Sequence, residues 1–96
     1  MNNTIIIKNI DNVGNAVEDI AAGSNSVYLL SGEVFTLQAL EDIPFGYKIA
    51  LKGISLGGDI IKYGEVIGRA SKEIAPGELV HVHNVEGCRG RGDLEA

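Results

Sequence analysis

The stretch ALEDIPFG, residues 39–46, follows a pattern that occurs three times in this chain of 96 residues. The pattern is Ala-x-x-acidic-Ile-x-x-Gly, and its other copies occupy residues 16–23 and 70–77. A shortened copy without the acidic residue occupies residues 54–57. Each copy predicts the end of a strand, an apolar anchor and a turn closed by glycine, because glycine adopts positive φ without steric strain.

Two prolines predict where some of these turns begin. Pro44 suits the second position of a turn that starts at Ile43, because the proline ring fixes the φ that this position needs. Pro76 followed by Gly77 suits a type II turn that starts at Ala75. The turns of the copies are therefore not expected to be identical.

Short runs rich in Ile, Val and Leu separate the turns, and their lengths are typical of strands. In one run Phe35, Leu37 and Ala39 alternate with more polar residues, as expected for a half-buried strand. A turn of helix is expected only between Asp11, which would cap it, and Ile20. The sequence thus predicts an all-β fold, a compact barrel or clip. The predicted strands are residues 4–7, 27–30, 33–40, 47–51, 59–67 and 79–85.

Composition limits the classes of function. A hydrophobic fraction of 45% without Trp predicts one domain with an aliphatic core, over residues 1–86, followed by a flexible tail over residues 87–96. The net charge of -5 makes nucleic acid an unlikely partner, and no apolar run is long enough to span a membrane. The single cysteine, Cys88, agrees with a reducing compartment, so the expected location is cytoplasmic.

Three blocks of sequence resemble a known family. They are DIPFGYKIAL at residues 42–51, IKYGEVIGRA at residues 61–70 and HVHN at residues 81–84. In order and spacing they are similar to the SAF domain of the altronate/galactarate dehydratase family, over roughly residues 11–84. The resemblance implies a SAF (β-clip) fold. It also implies a small, N-terminal subunit of a metal-dependent sugar-acid hydro-lyase, with Fe²⁺ in the assembled complex.

The same resemblance implies the partners, which are a larger catalytic dehydratase subunit and a sugar-acid substrate. The chain alone is expected to lack activity, because few of its ionisable groups lie within the matching blocks. Small subunits of sulfolactate sulfo-lyases are also similar, and a stand-alone module that binds carbohydrate acids is an alternative. Self-association as a homo-oligomer stays open.

The candidate catalytic residues are His81 and His83. Because they lie two apart in a predicted strand, their imidazoles would share one face and converge on a metal ion or a carboxylate. The alternative is that they are polar residues at the end of the last strand. Tyr47 stands where the family usually has His, and it is not assigned a catalytic role. Cys88 is either an interface thiol, an iron ligand or an incidental cysteine.

The candidate substrate-binding residues are Lys48, Lys62, Tyr63 and Asn84. The lysines, with Arg69, would grip a substrate carboxylate by charge-assisted hydrogen bonds, unless they are ordinary surface cations. Lys62 and Tyr63 belong to the matching Lys-Tyr-Gly block. Asn84 would orient a ligand or stabilise the turn after the last strand.

Overall fold

The computed structural model describes residues 2–87 and consists of antiparallel strands, with no helix in that range. A four-stranded sheet has the order β1-β2-β5-β8, β3 and β4 form a hairpin, and β6-β7-β9 form a third sheet. This confirms the predicted all-β fold. The strands are β1 Thr4–Ile5, β2 Val13–Ala16, β3 Asn25–Leu30, β4 Glu33–Gln38, β5 Lys48–Ala50, β6 Asp59–Lys62, β7 Glu65–Ala70, β8 Leu79–Val80 and β9 Val85–Glu86.

The first two repeats pair with each other through their backbones. Ile20 and Ile43 exchange two hydrogen bonds, of 2.9 and 2.8 Å. The Gly23 N–H donates to the Ala39 carbonyl and the Gly46 N–H to the Ala16 carbonyl, both at 2.8 Å. The repeat therefore encodes a reciprocal pair of loops.

The shortened copy and the last repeat form a second pair of the same kind. Ile54 and Ile74 exchange two hydrogen bonds of 2.8 Å, while the Gly57 N–H donates to the Ala70 carbonyl at 2.8 Å. The Gly77 N–H completes the pair by donating to the Ala50 carbonyl at 2.8 Å. The shortened copy is thus a full copy that begins at Ala50, and the domain has two similar halves.

Each half has its own core. The alanine and isoleucine of every repeat are buried, and each pair of repeats contributes four of these side chains to one cluster. Burial of each of the larger aliphatic side chains stabilises the fold by about 1.5–3 kcal/mol. One core contains Ala16, Ile20, Tyr28, Ala39, Ile43, Ile49 and Leu51, and the other contains Val13, Ala50, Ile54, Ile60, Ala70, Ile74 and Val80.

The helical turn expected at residues 11–20 is wrong. β2 occupies part of this segment, and the Asp11 carboxylate does not cap a helix. It instead accepts hydrogen bonds from the backbone N–H groups of Gly64, at 2.8 Å, and Lys8, at 3.1 Å. The segment is extended because its backbone pairs with β1 and β5.

The strand predicted at residues 59–67 is two strands, β6 and β7. A two-residue turn, Tyr63-Gly64, joins them, and both residues have positive φ, 58° and 78°. Such a turn matches the twist of a hairpin. The strand predicted at residues 79–85 is also interrupted, because β8 ends at Val80 and residues 81–84 form a turn before β9.

Two further expectations concern a membrane span and the C-terminal tail. Among residues 2–87 the structure contains no helix long and apolar enough to cross a membrane. The predicted tail, apart from Gly87, lies outside the described residues, and so does Cys88. The boundary at residue 86 therefore stays a prediction.

Candidate functional site

One row of residues crosses the four-stranded sheet. Ile5 pairs with Asn15, Asn15 with Lys48, and Lys48 with Val80. Side chains of paired residues in antiparallel strands project from the same face of a sheet. Asn15 and Lys48 are therefore neighbours at the middle of the sheet, on the face that also carries Val13 and Val80.

Lys48 lies within electrostatic range of a second cation, Lys62. Burial lowers the pKa of the half-buried Lys48 ammonium, and the charge of Lys62 lowers it further. Both effects arise because the charged form is less well stabilised there than in water. A bound anion would relieve the repulsion between the two ammonium groups.

Tyr63 completes this group of side chains. The Lys62 Nζ lies 4.7 Å from the centre of the Tyr63 ring, a cation–π contact. The Tyr63 hydroxyl accepts a long hydrogen bond, 3.5 Å, from the Asn15 Nδ2. We call Asn15, Lys48, Lys62 and Tyr63 the lysine cluster. Within the described part of the chain, residues 2–87, its buried Asn15 Oδ1 has no hydrogen-bond partner.

Asp11 holds Tyr63 in this position. Positive φ is unfavourable for a bulky residue, so the turn needs support from its surroundings. The buried Asp11 carboxylate supplies it by accepting the Gly64 N–H. Burial raises the pKa of Asp11, but hydrogen bonds from the backbone of Gly64, Lys8, Tyr63 and Ile7 outweigh that effect and lower the pKa below 3.8.

A groove opens beside Lys48. It has a volume of about 360 Å³ and is lined by Lys48, Ile60, Ile67, Val80, His81, Val82, Val85 and Gly87. The volume lies in the range of small-molecule sites. The His81 ring, at the rim, lies 4.7 Å from the Tyr47 ring, measured between centres. Tyr47 thus contacts one of the candidate histidines.

The prediction that His81 and His83 project from one face of a strand is wrong, because both lie in a turn rather than in a strand. Asn84 makes this turn: its Oδ1 accepts the His81 N–H at 3.0 Å and its Nδ2 donates to the Leu79 carbonyl at 2.9 Å. Both imidazoles are exposed, whereas Asn84 is 3% exposed. The side chain of Asn84 therefore stabilises the turn, the alternative that the sequence left open.

The described residues do not fit a complete ferrous site. Residues 2–87 contain no group of three or more His, Cys, Asp or Glu side chains that could hold a metal ion. His81 and His83 supply two nitrogen donors at most, and a ferrous centre needs further ligands.

The sequence missed Asn15 as a member of the cluster. No motif marks it, and its place beside Lys48 follows only from the register of β2 and β5. The spacing of Lys48 and Lys62 in the sequence also does not predict that the charge of one affects the pKa of the other. Arg69 forms an exposed ion pair with Asp59 rather than with the cluster, and its Nε lies 3.9 Å from the Asp59 Oδ1.

Known proteins are similar to this chain over almost all of the described residues. The sequence profile of the altronate/galactarate dehydratase SAF domain matches residues 2–87. Altronate dehydratase of Bacillus subtilis is 40% identical over 86 residues, 90% of this chain and 16% of that protein. Altronate dehydratase of Escherichia coli is 40% identical over 80 residues, 83% of this chain and 15% of that protein.

A third relative is shorter. The alpha subunit of (2R)-sulfolactate sulfo-lyase of Paracoccus pantotrophus is 46% identical over 50 residues, 52% of this chain and 75% of that protein. The chain therefore spans about one sixth of the altronate dehydratases that it matches, and most of the matched sulfo-lyase subunit. Because the profile covers residues 2–87, the chain belongs to the altronate/galactarate dehydratase SAF domain family.

Proposed function

We propose that this chain is the small, N-terminal part of a sugar-acid dehydratase of the altronate or galactarate type. It binds the acid substrate and covers the active site of a larger catalytic part. The observation that carries the proposal is the lysine cluster on a domain of this family. Lys62 contacts the Tyr63 ring, the Tyr63 hydroxyl contacts Asn15, and Asn15 pairs with Lys48 in the sheet. The predicted cytoplasmic location belongs to the same proposal.

The lysine cluster suits the chemistry of such a reaction. A dehydratase removes the proton next to the substrate carboxylate and expels the hydroxyl one carbon further on as water. Negative charge then builds up on the carboxylate oxygens in the transition state. Two ammonium groups beside those oxygens stabilise this charge, and they do so more strongly where water is excluded.

The proposal also gives a role to His81. Its imidazole lies at the rim of the Lys48 groove, and histidine is the residue that most often transfers protons in enzymes. We assign it to proton transfer at the edge of the assembled site. His83 follows in the same exposed turn, and its role rests on the family resemblance alone.

The larger part would supply the metal ligands that are not found among residues 2–87. The Fe²⁺ expected from the family is assigned to the larger part of the complex, because the described residues do not fit a metal site of their own. The length of the relatives supports such a partner, since the altronate dehydratase of Bacillus subtilis is matched over 16% of its length.

The β3–β4 hairpin offers a surface for this partner. Leu29 and Val34 pair on one face of the hairpin and are 50% and 63% exposed. Contiguous exposed apolar side chains are typical of protein interfaces. We assign this surface to the larger catalytic part.

The second candidate is the small subunit of a sulfolactate sulfo-lyase. The observation in its favour is that the chain covers 75% of the alpha subunit from Paracoccus pantotrophus. In both candidates the substrate is an acid whose carboxylate would be bound by cations, so the lysine cluster is compatible with either.

The test produces the chain and the larger dehydratase part separately and assays each alone and mixed. Altronate, galactarate and sulfolactate are supplied with Fe²⁺ under anaerobic conditions. We expect no turnover by the chain alone and turnover of a sugar acid by the mixture. If the mixture turns over sulfolactate but neither sugar acid, the result selects the second candidate. Turnover by the isolated chain, or binding of sugar acids without any effect on the larger part, would contradict the subunit assignment.

A further inference from the structure

Asn15 has an unsatisfied hydrogen-bond acceptor. Its Oδ1 is buried and has no partner among residues 2–87, and its Nδ2 makes only the 3.5 Å contact to the Tyr63 hydroxyl. Leaving a buried polar atom unpaired is unfavourable, because the atom has lost its hydrogen bonds to water. Such an atom next to a pair of cations indicates a ligand that supplies the missing donor.

The neighbouring groups define that ligand. Lys48 and Lys62 offer only N–H donors and positive charge, so they select an anion. The Asn15 oxygen only accepts, and it therefore selects an O–H or N–H group. The Tyr63 hydroxyl both donates and accepts. The complementary molecule carries an anionic group with a hydroxyl beside it.

We infer that the lysine cluster recognises an α-hydroxycarboxylate at two points. Lys48 and Lys62 bind the carboxylate, and the Asn15 amide oxygen accepts the hydroxyl on the adjacent carbon. This inference rests on the proposed function, and it adds Asn15 as the residue that distinguishes hydroxy acids from plain acids. A site built to bond a hydroxyl rejects an analogue that lacks it, because its polar group then stays unpaired.

A small motion of Asn15 presents its oxygen. Rotation of the amide about its last side-chain bond exchanges the positions of Oδ1 and Nδ2 and gives up the 3.5 Å contact with Tyr63, which is at the limit of a hydrogen bond. The backbone of Asn15 remains fixed between Ile5 and Lys48 in the sheet. Recognition therefore needs no change in the fold.

The experiment titrates the full chain with galactarate and with adipate, which has the same carbon skeleton and both carboxylates but no hydroxyl groups. Chemical shifts are followed for the Asn15 side-chain amide and for Lys48, Lys62 and Tyr63. We expect saturable shifts with galactarate and at least about tenfold weaker binding of adipate, a difference of 1.4 kcal/mol. No saturable shift with galactarate up to about 10 mM would overturn the inference.

Two variants separate the two recognition points. Asn15→Leu should lower the affinity for galactarate to that for adipate and leave adipate binding unchanged, whereas Lys62→Met should weaken both. Lys72→Met, an exposed lysine in the last repeat, is the control that removes the same charge elsewhere. The amide spectrum of each variant verifies its fold, and Asn15→Ser replaces Asn15→Leu if the leucine does not fold.

The results distinguish this inference from the proposed function. If Asn15 variants still prefer galactarate, the inference is wrong, even where the mixture with the larger part is active. If that mixture is inactive with every acid but Asn15 controls the preference for galactarate, the dehydratase assignment fails and the inference stands.

Discussion

Tyr63 is a bulky residue at φ 58°, and this unfavourable backbone conformation places its ring below Lys62 and its hydroxyl beside Asn15. Residues held in such conformations cluster at functional sites, where surrounding contacts offset the strain. Here the offset comes from Asp11, which binds the backbone of the turn and of residues 7 and 8. Asp11 is therefore the structural support of the lysine cluster.

Replacing Asp11 with Asn should destabilise the chain by about 1–3 kcal/mol at neutral pH, because buried backbone donors lose a charged acceptor. The pKa of Asp11 in the folded chain lies below the ordinary value of 3.8, so folding favours the ionised form. Its contribution is complete well above 3.8 and is lost as the pH falls through the folded-state pKa. Urea unfolding at neutral and acidic pH measures this.

Wild type should therefore lose more stability on acidification than Asp11→Asn does. Glu18→Gln is the matched control, because Glu18 is exposed on the surface. Equal stability of Asp11→Asn and wild type at neutral pH would show that the carboxylate does not support the turn.

Lys48→Met should not lower the melting temperature, and a small rise is expected. The pKa of Lys48 in the folded chain is below 10.5, so folding disfavours its charged form. This unfavourable contribution is fully present at neutral pH, decreases as the pH rises above the folded-state pKa and is gone above 10.5. Thermal unfolding beside the exposed control Lys72→Met measures it, and a loss above about 1 kcal/mol would contradict the account.

Single residues were predicted well where the reason is local. The turn at Ala75 has the predicted form, with the Glu78 N–H donating to the Ala75 carbonyl at 3.1 Å and Gly77 at φ 94°. The turn predicted at Ile43 starts one residue later, because the Tyr47 N–H donates to the Pro44 carbonyl. A pattern of residue types predicts the position of a turn only to within about one residue.

The repeats were predicted as turns, but their pairing was not. Pairing joins residues far apart in sequence, such as Ile54 and Ile74, and no local pattern determines the partner. The β4 strand was also predicted, but its alternation does not bury Phe35, which is 38% exposed. The hairpin forms a two-stranded sheet of its own, and part of it therefore has no core to cover.

Gly77→Ala should destabilise the chain much more than Gly46→Ala. Both glycines have positive φ, 94° and 88°, so both substitutions strain the backbone by about 1–2 kcal/mol. A Cβ at Gly77 would in addition meet the Gln38 carbonyl oxygen, while one at Gly46 meets nothing within 4 Å. Chemical denaturation of both variants tests this, and equal losses would contradict the close approach.

Val34→Lys should leave the fold of the isolated chain intact but weaken its binding to the larger catalytic part by at least about tenfold. The reason is that the substitution puts a charge into the apolar surface assigned to the interface. Leu56→Lys is the control, because Leu56 is 68% exposed but lies in the shortened copy of the repeat rather than on the hairpin. Titration of the two parts measures affinity, and unchanged binding by Val34→Lys would exclude the hairpin from the interface.

At the scale of the whole molecule, two pairs of repeats enclose two cores. The lysine cluster joins the four-stranded sheet, which carries Asn15 and Lys48, to the β6–β7 hairpin, which carries Lys62 and Tyr63. The sequence predicted Lys48, Lys62, Tyr63 and Asn84 as substrate-binding residues. The structure places the first three in the lysine cluster and Asn84 in the turn after β8, and their binding of a substrate stays a prediction. Asn15 and the turn that separates the histidines depend on strand register and on Asn84, which the sequence pattern does not reveal. Fold class thus followed from composition and turns, while the detail of the site required tertiary contacts.

The most direct test of the account is the kcat/KM for galactarate of the larger catalytic part mixed with Lys48→Met chain. The comparison is with mixtures made with wild-type chain and with Lys72→Met chain. The account predicts a loss of at least about tenfold for Lys48→Met, with equal complex formation, and no loss for Lys72→Met. An equal kcat/KM for all three mixtures would contradict the claim that this domain binds the substrate carboxylate.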